Sequence, residues 1–83
     1  MKVIRLKTAE KYEPEENWKR SSLCDEPSIS IEHFVKPPGH ASPMHQHPQE
    51  QVTLILQGRM KVVSADGSEA VLDVGDTAYF AGD

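Results

Sequence analysis

A chain of 83 residues with 9 Lys+Arg, 13 Asp+Glu and 37 % hydrophobic residues describes one small domain, and its length excludes a second. At this size folding removes only about 60 % of the unfolded chain's surface from water, so the core is compact or shared, and self-association is expected. The net charge of −4 offers no basic patch to neutralise phosphates, which excludes nucleic acid and anionic membranes and leaves small molecules or proteins as partners.

No apolar run approaches the roughly 20 residues that span a bilayer. Residues 1–10 are broken by Lys2, Arg5 and Lys7 and lack the apolar centre of a signal peptide. A cytoplasmic protein is the natural reading. The single cysteine, Cys24, has no internal partner and no neighbouring histidine, and is read as a small packed side chain without chemical role.

Prolines at positions 14, 27, 37, 38, 43 and 48 rule out a long helix in the first half, so strands and turns are expected throughout. Residues 1–7 alternate weakly and suit an edge strand, and 10–19, charged around Pro14, read as a surface loop ending at Trp18, which caps a core edge. Together, 1–27 form an N-terminal edge strand and loop, with barrel strands in 28–83. Residues 28–35 form a strand with Ile29, Ile31, His33 and Val35 on one face, expected to point inward. Residues 51–57 form the most apolar strand, turned at Gly58-Arg59 into 60–64 as a hairpin; Asp66-Gly67 and Gly75-Asp76 turn two further strands, 70–73 and 77–81. Thr53 and Ile55 take the inward face, while Val52, Leu54 and Leu56 form an opposite apolar stripe that the N-terminal segment or a second subunit covers. Tyr79 and Phe80 are read as core and barrel-wall residues. Short strands between glycine turns indicate an antiparallel sandwich or barrel.

The chemistry is concentrated in His45-Gln46-His47-Pro48-Gln49-Glu50-Gln51. Two imidazoles two residues apart on extended backbone point to one side and can chelate one ion, and Gln51 shares their parity while Glu50 does not. By parity the candidate metal ligands are His45, His47 and Gln51. Glu50 is the alternative third ligand if Pro48 bends the strand, and otherwise a solvated charge or a general base. An isolated His-X-His is more often an ordinary surface or core pair, and the residues around it decide the reading. His33 reads as a core histidine satisfied by a hydrogen bond, and His40, in a Gly-Pro-rich loop, has less claim to the site.

At these residues the sequence resembles the cupin superfamily, whose first motif runs Gly, five residues, His, one, His, three or four, Glu, six, Gly. Gly39, His45, His47 and Gly58 fall on that spacing, and Gln51 stands at the acidic ligand's place. The second motif opens at Gly75, but Ala81 stands where proline is usual and Asp83 where glycine is usual. The chain ends three residues before the family's third histidine. It is either a truncated form of a longer cupin or a short form that completes its site differently, with truncation favoured.

The resemblance implies an all-β antiparallel double-stranded β-helix, the jelly-roll cupin barrel, incomplete at its C-terminal end. It also implies a homodimer, and a divalent transition metal among Mn, Fe, Ni, Zn or Cu. A neutral Gln51 with two neutral imidazoles leaves the metal's charge uncompensated, so the expected ligand is a small carboxylate, keto acid or sugar-derived compound. A non-catalytic ligand- or metal-sensing module and a structural barrel without metal stay open beside an enzyme.

Overall fold

Seven strands and no helix occupy the residues that the computed structural model describes, 1–41 and 49–82, and every strand pair is antiparallel. β1 (Tyr12–Glu15), β2 (Trp18–Glu26) and β3 (Ile29–Val35) form a sheet in that order. β4 (Gln51–Leu54) pairs with β7 (Thr77–Phe80), and β5 (Met60–Val63) with β6 (Glu69–Leu72). The chain divides into two compact units, Met1–Ala41 and Ser42–Asp83.

The N-terminal unit departs from expectation at its start. The edge strand expected over 1–7 is not formed; the Arg5 carbonyl instead accepts from the Thr8 and Ala9 amides at 3.1 and 2.8 Å. Lys2, Arg5 and Lys7 interrupt the apolar alternation, so this stretch has no face to bury and satisfies its backbone locally. The loop expected over 10–19 is largely a hairpin. Glu15 pairs with Trp18, leaving Glu16-Asn17 as a two-residue turn, and Asn17 adopts φ 63°, a conformation asparagine tolerates better than most residues.

β2 then runs beside β3 from Lys19↔Val35 to Glu26↔Ile29, with a bulge between Ser22 and Cys24. Ser21, opposite His33, is fully buried. The face expected to point inward is instead open: Ile29, Ile31 and Val35 are 57 %, 50 % and 56 % exposed. On that face Ser21 is buried and His33 half-buried; on the other, Arg20 faces Phe34 and aromatic rings lie against cationic side chains.

In the C-terminal unit the strand pairs are nested. The hairpin expected between 51–57 and 60–64 does not form as a ladder; β4 reaches past β5 and β6 to pair with β7, from Gln51↔Phe80 to Leu54↔Thr77. The ladder continues through Ile55, whose amide donates to Asp76 O at 3.1 Å and whose carbonyl accepts from Gly75 at 2.8 Å. Inside this pair lies the β5–β6 hairpin, Met60↔Leu72 to Val63↔Glu69, as the Asp66-Gly67 signal predicts. A pair enclosing a pair is how a jelly roll folds one long hairpin back on itself. Ile55 and Leu72 are the buried apolar side chains among the described residues.

The β5–β6 turn is held by one carboxylate. Asp66 accepts from the Ser64 hydroxyl, from the Ser68 hydroxyl at 2.6 Å and from the Ser68 amide at 2.9 Å. These bonds, that from Ser64 first, bring its carboxyl down to about 2. Because the folded-state value is depressed, the stabilisation is present above the ordinary carboxylate value and is lost as pH falls through about 2. Asp66→Asn is therefore expected to melt below the parent at neutral pH, with the gap closing between about pH 4 and about pH 2. Thermal melts across that range check it; a gap that stays constant contradicts the assignment.

Candidate metal centre

The β4–β7 register decides which side chains each face presents. Gln51, Thr53 and Ile55 share one face with Ala78 and Phe80; Val52 and Leu54 share the other with Thr77 and Tyr79. Ile55 is buried, and Thr53, Ala78 and Phe80 are half-buried, so the first face is the inner one, as the alternation predicts. Tyr79 is a correction: expected in the core or barrel wall, it is 61 % exposed because its pairing with Val52 sets it on the outer face.

Gln51 opens β4 on the face of Thr53 and Ile55, at an exposed position at the strand's end. Its Nε2 donates to Thr53 Oγ1 at 3.2 Å, two residues along the same face. The Thr53 hydroxyl thus takes the nitrogen end of the amide, and the carbonyl oxygen is the end whose chemistry suits a cation. The side chain present fits an oxygen ligand in both type and face. His45 and His47 lie outside the described residues. Among the described residues no group of three His, Cys, Asp or Glu side chains could hold a metal ion.

Glu50 is turned away from Gln51. It is exposed, and its Oε2 accepts from the Tyr79 hydroxyl at 3.0 Å. That hydrogen bond, followed by partial loss of hydration and the carboxylate's charge, raises the Tyr79 phenol above its ordinary value. A groove of about 160 Å³ lies between the inner faces of the two strand pairs, lined by Val62 and Ala70 on one side and Ala78 and Phe80 on the other. It suits a small organic group and is below the size of a drug-sized ligand site.

The other two histidines belong to the N-terminal unit. His33 is half-buried on β3 opposite Ser21. His40 holds Glu15 Oε2 with its Nε2 at 2.6 Å, and its ring centroid lies 5.0 Å from that of Trp18. Around Trp18 gather Arg20, whose guanidinium carbon is 5.6 Å from the ring, and Lys36, whose Nζ is 4.6 Å from it. Sequence reasoning missed this cluster. Its signal was present as alternation: Trp18 and Arg20 stand two apart, as do Phe34 and Lys36, which places each pair on one strand face.

Comparison with known families identifies the lineage of the fold. The cupin domain family matches residues 32–83. The chain belongs to it. No curated protein and no solved structure matches the chain. As a cupin, the chain carries its nested antiparallel pairs in the family's all-β jelly-roll manner, and cupins commonly bind a transition metal. No helix among the described residues is long and apolar enough to cross a membrane.

The Glu50–Tyr79 contact gives a check on the face assignment. Glu50→Gln in a Tyr12→Phe background, which leaves Tyr79 as the one tyrosine, is expected to lower the phenol's titration midpoint toward its ordinary value. Phenolate absorbance during alkaline titration measures it, and an unmoved midpoint would place Glu50 elsewhere.

Proposed function

We propose that this cupin binds a divalent transition metal, Mn, Fe, Ni, Zn or Cu, through His45, His47 and Gln51, and takes a small anionic organic compound as its ligand. That compound is a carboxylate, a keto acid or a sugar-derived compound. The observation that carries the reading is the place of Gln51: it stands at the family's acidic-ligand spacing, and it lies on the inner face of β4 with its amide nitrogen engaged by Thr53. The bond of Glu50, the one neighbouring carboxylate in the motif, to Tyr79 of the outer face supports Gln51 over Glu50 for the position.

The substitution of an amide for a carboxylate has an electrostatic consequence. A carboxylate ligand neutralises one of a divalent ion's two charges, whereas Gln51 and two neutral imidazoles neutralise none. An anionic ligand supplies what the first shell withholds. A metal held there acts as a Lewis acid toward an oxygen of that ligand.

Metal analysis after purification without chelator tests the centre. The parent is expected to carry about one ion per chain, and His45→Ala/His47→Ala to lose it. Calorimetric titration of the loaded protein with keto acids is expected to give tighter binding than with neutral sugars. Gln51→Glu is expected to strengthen metal retention and to weaken keto-acid binding by about tenfold, or about 1.4 kcal/mol. Equal or stronger binding of the neutral sugars overturns the ligand class, and metal retained in the double histidine variant overturns the centre.

The family match crosses the boundary between the two compact units, which supports reading 1–83 as a single cupin domain. We also propose a homodimer. Val52 and Leu54 on β4 and Leu56 just beyond it are 64 %, 53 % and 67 % exposed, an apolar group that favours a covering partner. Leu54→Asp is expected to lower the sedimentation mass to that of the monomer or to abolish folding. An unchanged, stable dimer contradicts the proposal.

A further inference from the structure

Three nitrogens in the N-terminal unit, Trp18 Nε1, Arg20 Nε and His40 Nδ1, are buried without a hydrogen-bond partner. Buried polar atoms in folded proteins are nearly always paired, so three in one cluster point to a missing partner. The cluster is built by the sheet. Trp18 and Arg20 alternate on one face of β2, Arg20 stands opposite Phe34, and the Arg20 guanidinium also lies 5.8 Å from the Tyr12 ring. Lys36 Nζ sits 4.6 Å from the Trp18 ring centre and 5.3 Å from that of Phe34.

Two carboxylates orient the polar heads. Glu32 Oε2 lies 3.3 Å from a terminal nitrogen of Arg20, and this ion pair leaves the Nε–H uncommitted. Glu15 holds His40 Nε2 at 2.6 Å, and the His40 side chain is only 9 % exposed. An ionised carboxylate can only accept, so Nε2 carries the hydrogen and Nδ1 of the neutral ring carries a lone pair. The unmatched set is therefore two donors and one acceptor, walled by aromatic rings and accompanied by an ammonium group. Burial first, and then the charge of Arg20, depress the Lys36 ammonium below its ordinary value; Glu15 opposes this shift. An added anion would act on Lys36 in the same direction as Glu15.

We propose that this cluster binds a small hydroxy-carboxylate, whose carboxylate oxygens accept from Arg20 Nε–H and Trp18 Nε1–H and whose hydroxyl donates to His40 Nδ1. Entry requires the long Lys36 side chain to lift from the Trp18 ring, after which its ammonium closes on the bound anion. The site uses none of His45, His47 and Gln51, and does not rest on the metal centre.

Trp18 is the one tryptophan of the chain, so its fluorescence reports this site directly. The full chain, treated with EDTA, is titrated with lactate, with acetate, which lacks the hydroxyl, and with lactamide, which lacks the charge. Lactate is expected to give a saturable change, acetate to bind about tenfold more weakly, and lactamide to give none. Arg20→Lys keeps the charge but has no Nε–H fork, and is expected to weaken lactate binding by about tenfold with circular dichroism unchanged. Should that variant fail to fold, His40→Phe keeps the ring against Trp18 and is expected to erase the preference for lactate over acetate. The His45→Ala/His47→Ala variant is expected to bind lactate as the parent does. No saturable change with lactate, an equal response to lactamide, parental lactate binding in folded Arg20→Lys, a surviving preference in His40→Phe, or lost binding in the double histidine variant overturns the proposal.

Discussion

The β4–β7 ladder is the constraint on which the C-terminal unit depends. It closes the loop around the β5–β6 hairpin, continues through Ile55 into the Gly75-Asp76 turn, and sets Gln51 opposite Phe80. Side chains on a strand alternate with a period of two, so a slip of one residue would exchange Gln51 with Glu50 and Ile55 with Leu56. Such a slip would set a carboxylate in the place of Gln51 and expose the best-buried aliphatic side chain of the unit. The difference between an amide and an acid at the inner face is therefore enforced by hydrophobic burial a few residues further along the strand, with Thr53 fixing the amide's orientation in between.

Much of this unit was legible in the sequence because its signals are local. Alternation in 51–56 placed Thr53 and Ile55 on one side and Val52, Leu54 and Leu56 on the other, and the Asp66-Gly67 pair marked the β5–β6 turn. Pairing partners were not legible in the same way. Gly58, at φ 79°, reads as a hairpin turn, yet the strand before it joins one that begins 19 residues later. Local turn chemistry does not encode which strand lies alongside, because that choice is made by the summed burial of the whole inner face.

The N-terminal unit was the harder half for a different physical reason. β2 carries Lys19, Arg20, Ser21 and Ser22 in succession, which by hydrophobic periodicity is not a strand. It is one because its ladder to β3 is nearly complete and because guanidinium and ammonium groups lie over aromatic rings in place of aliphatic packing. A charged side chain whose stem or plane covers a ring counts as polar in a pattern search and as covering surface in the fold. The same effect half-buries Phe34 with Arg20 and Lys36, while Ile29, Ile31 and Val35 of the face expected to be inner remain open and His33 alone of that set is half-buried.

These two modes of covering a sheet carry different electrostatic obligations. Aliphatic burial at Ile55 and Leu72 requires nothing of its surroundings beyond exclusion of water. Covering with Arg20, Lys36 and Trp18 brings N–H groups and positive charge inside, and each must be answered by an acceptor. Glu32 and Glu15 answer part of this, at Arg20 and His40, and three nitrogens remain. Adding a further glutamate to the sheet would answer the two donors, Trp18 Nε1 and Arg20 Nε, permanently, whereas an acceptor from solution answers them only when bound. A chain with 13 acidic residues against 9 basic ones has carboxylates to spare for the purpose. That the cluster stays short of acceptors despite this excess argues for an exchangeable anion as its intended partner.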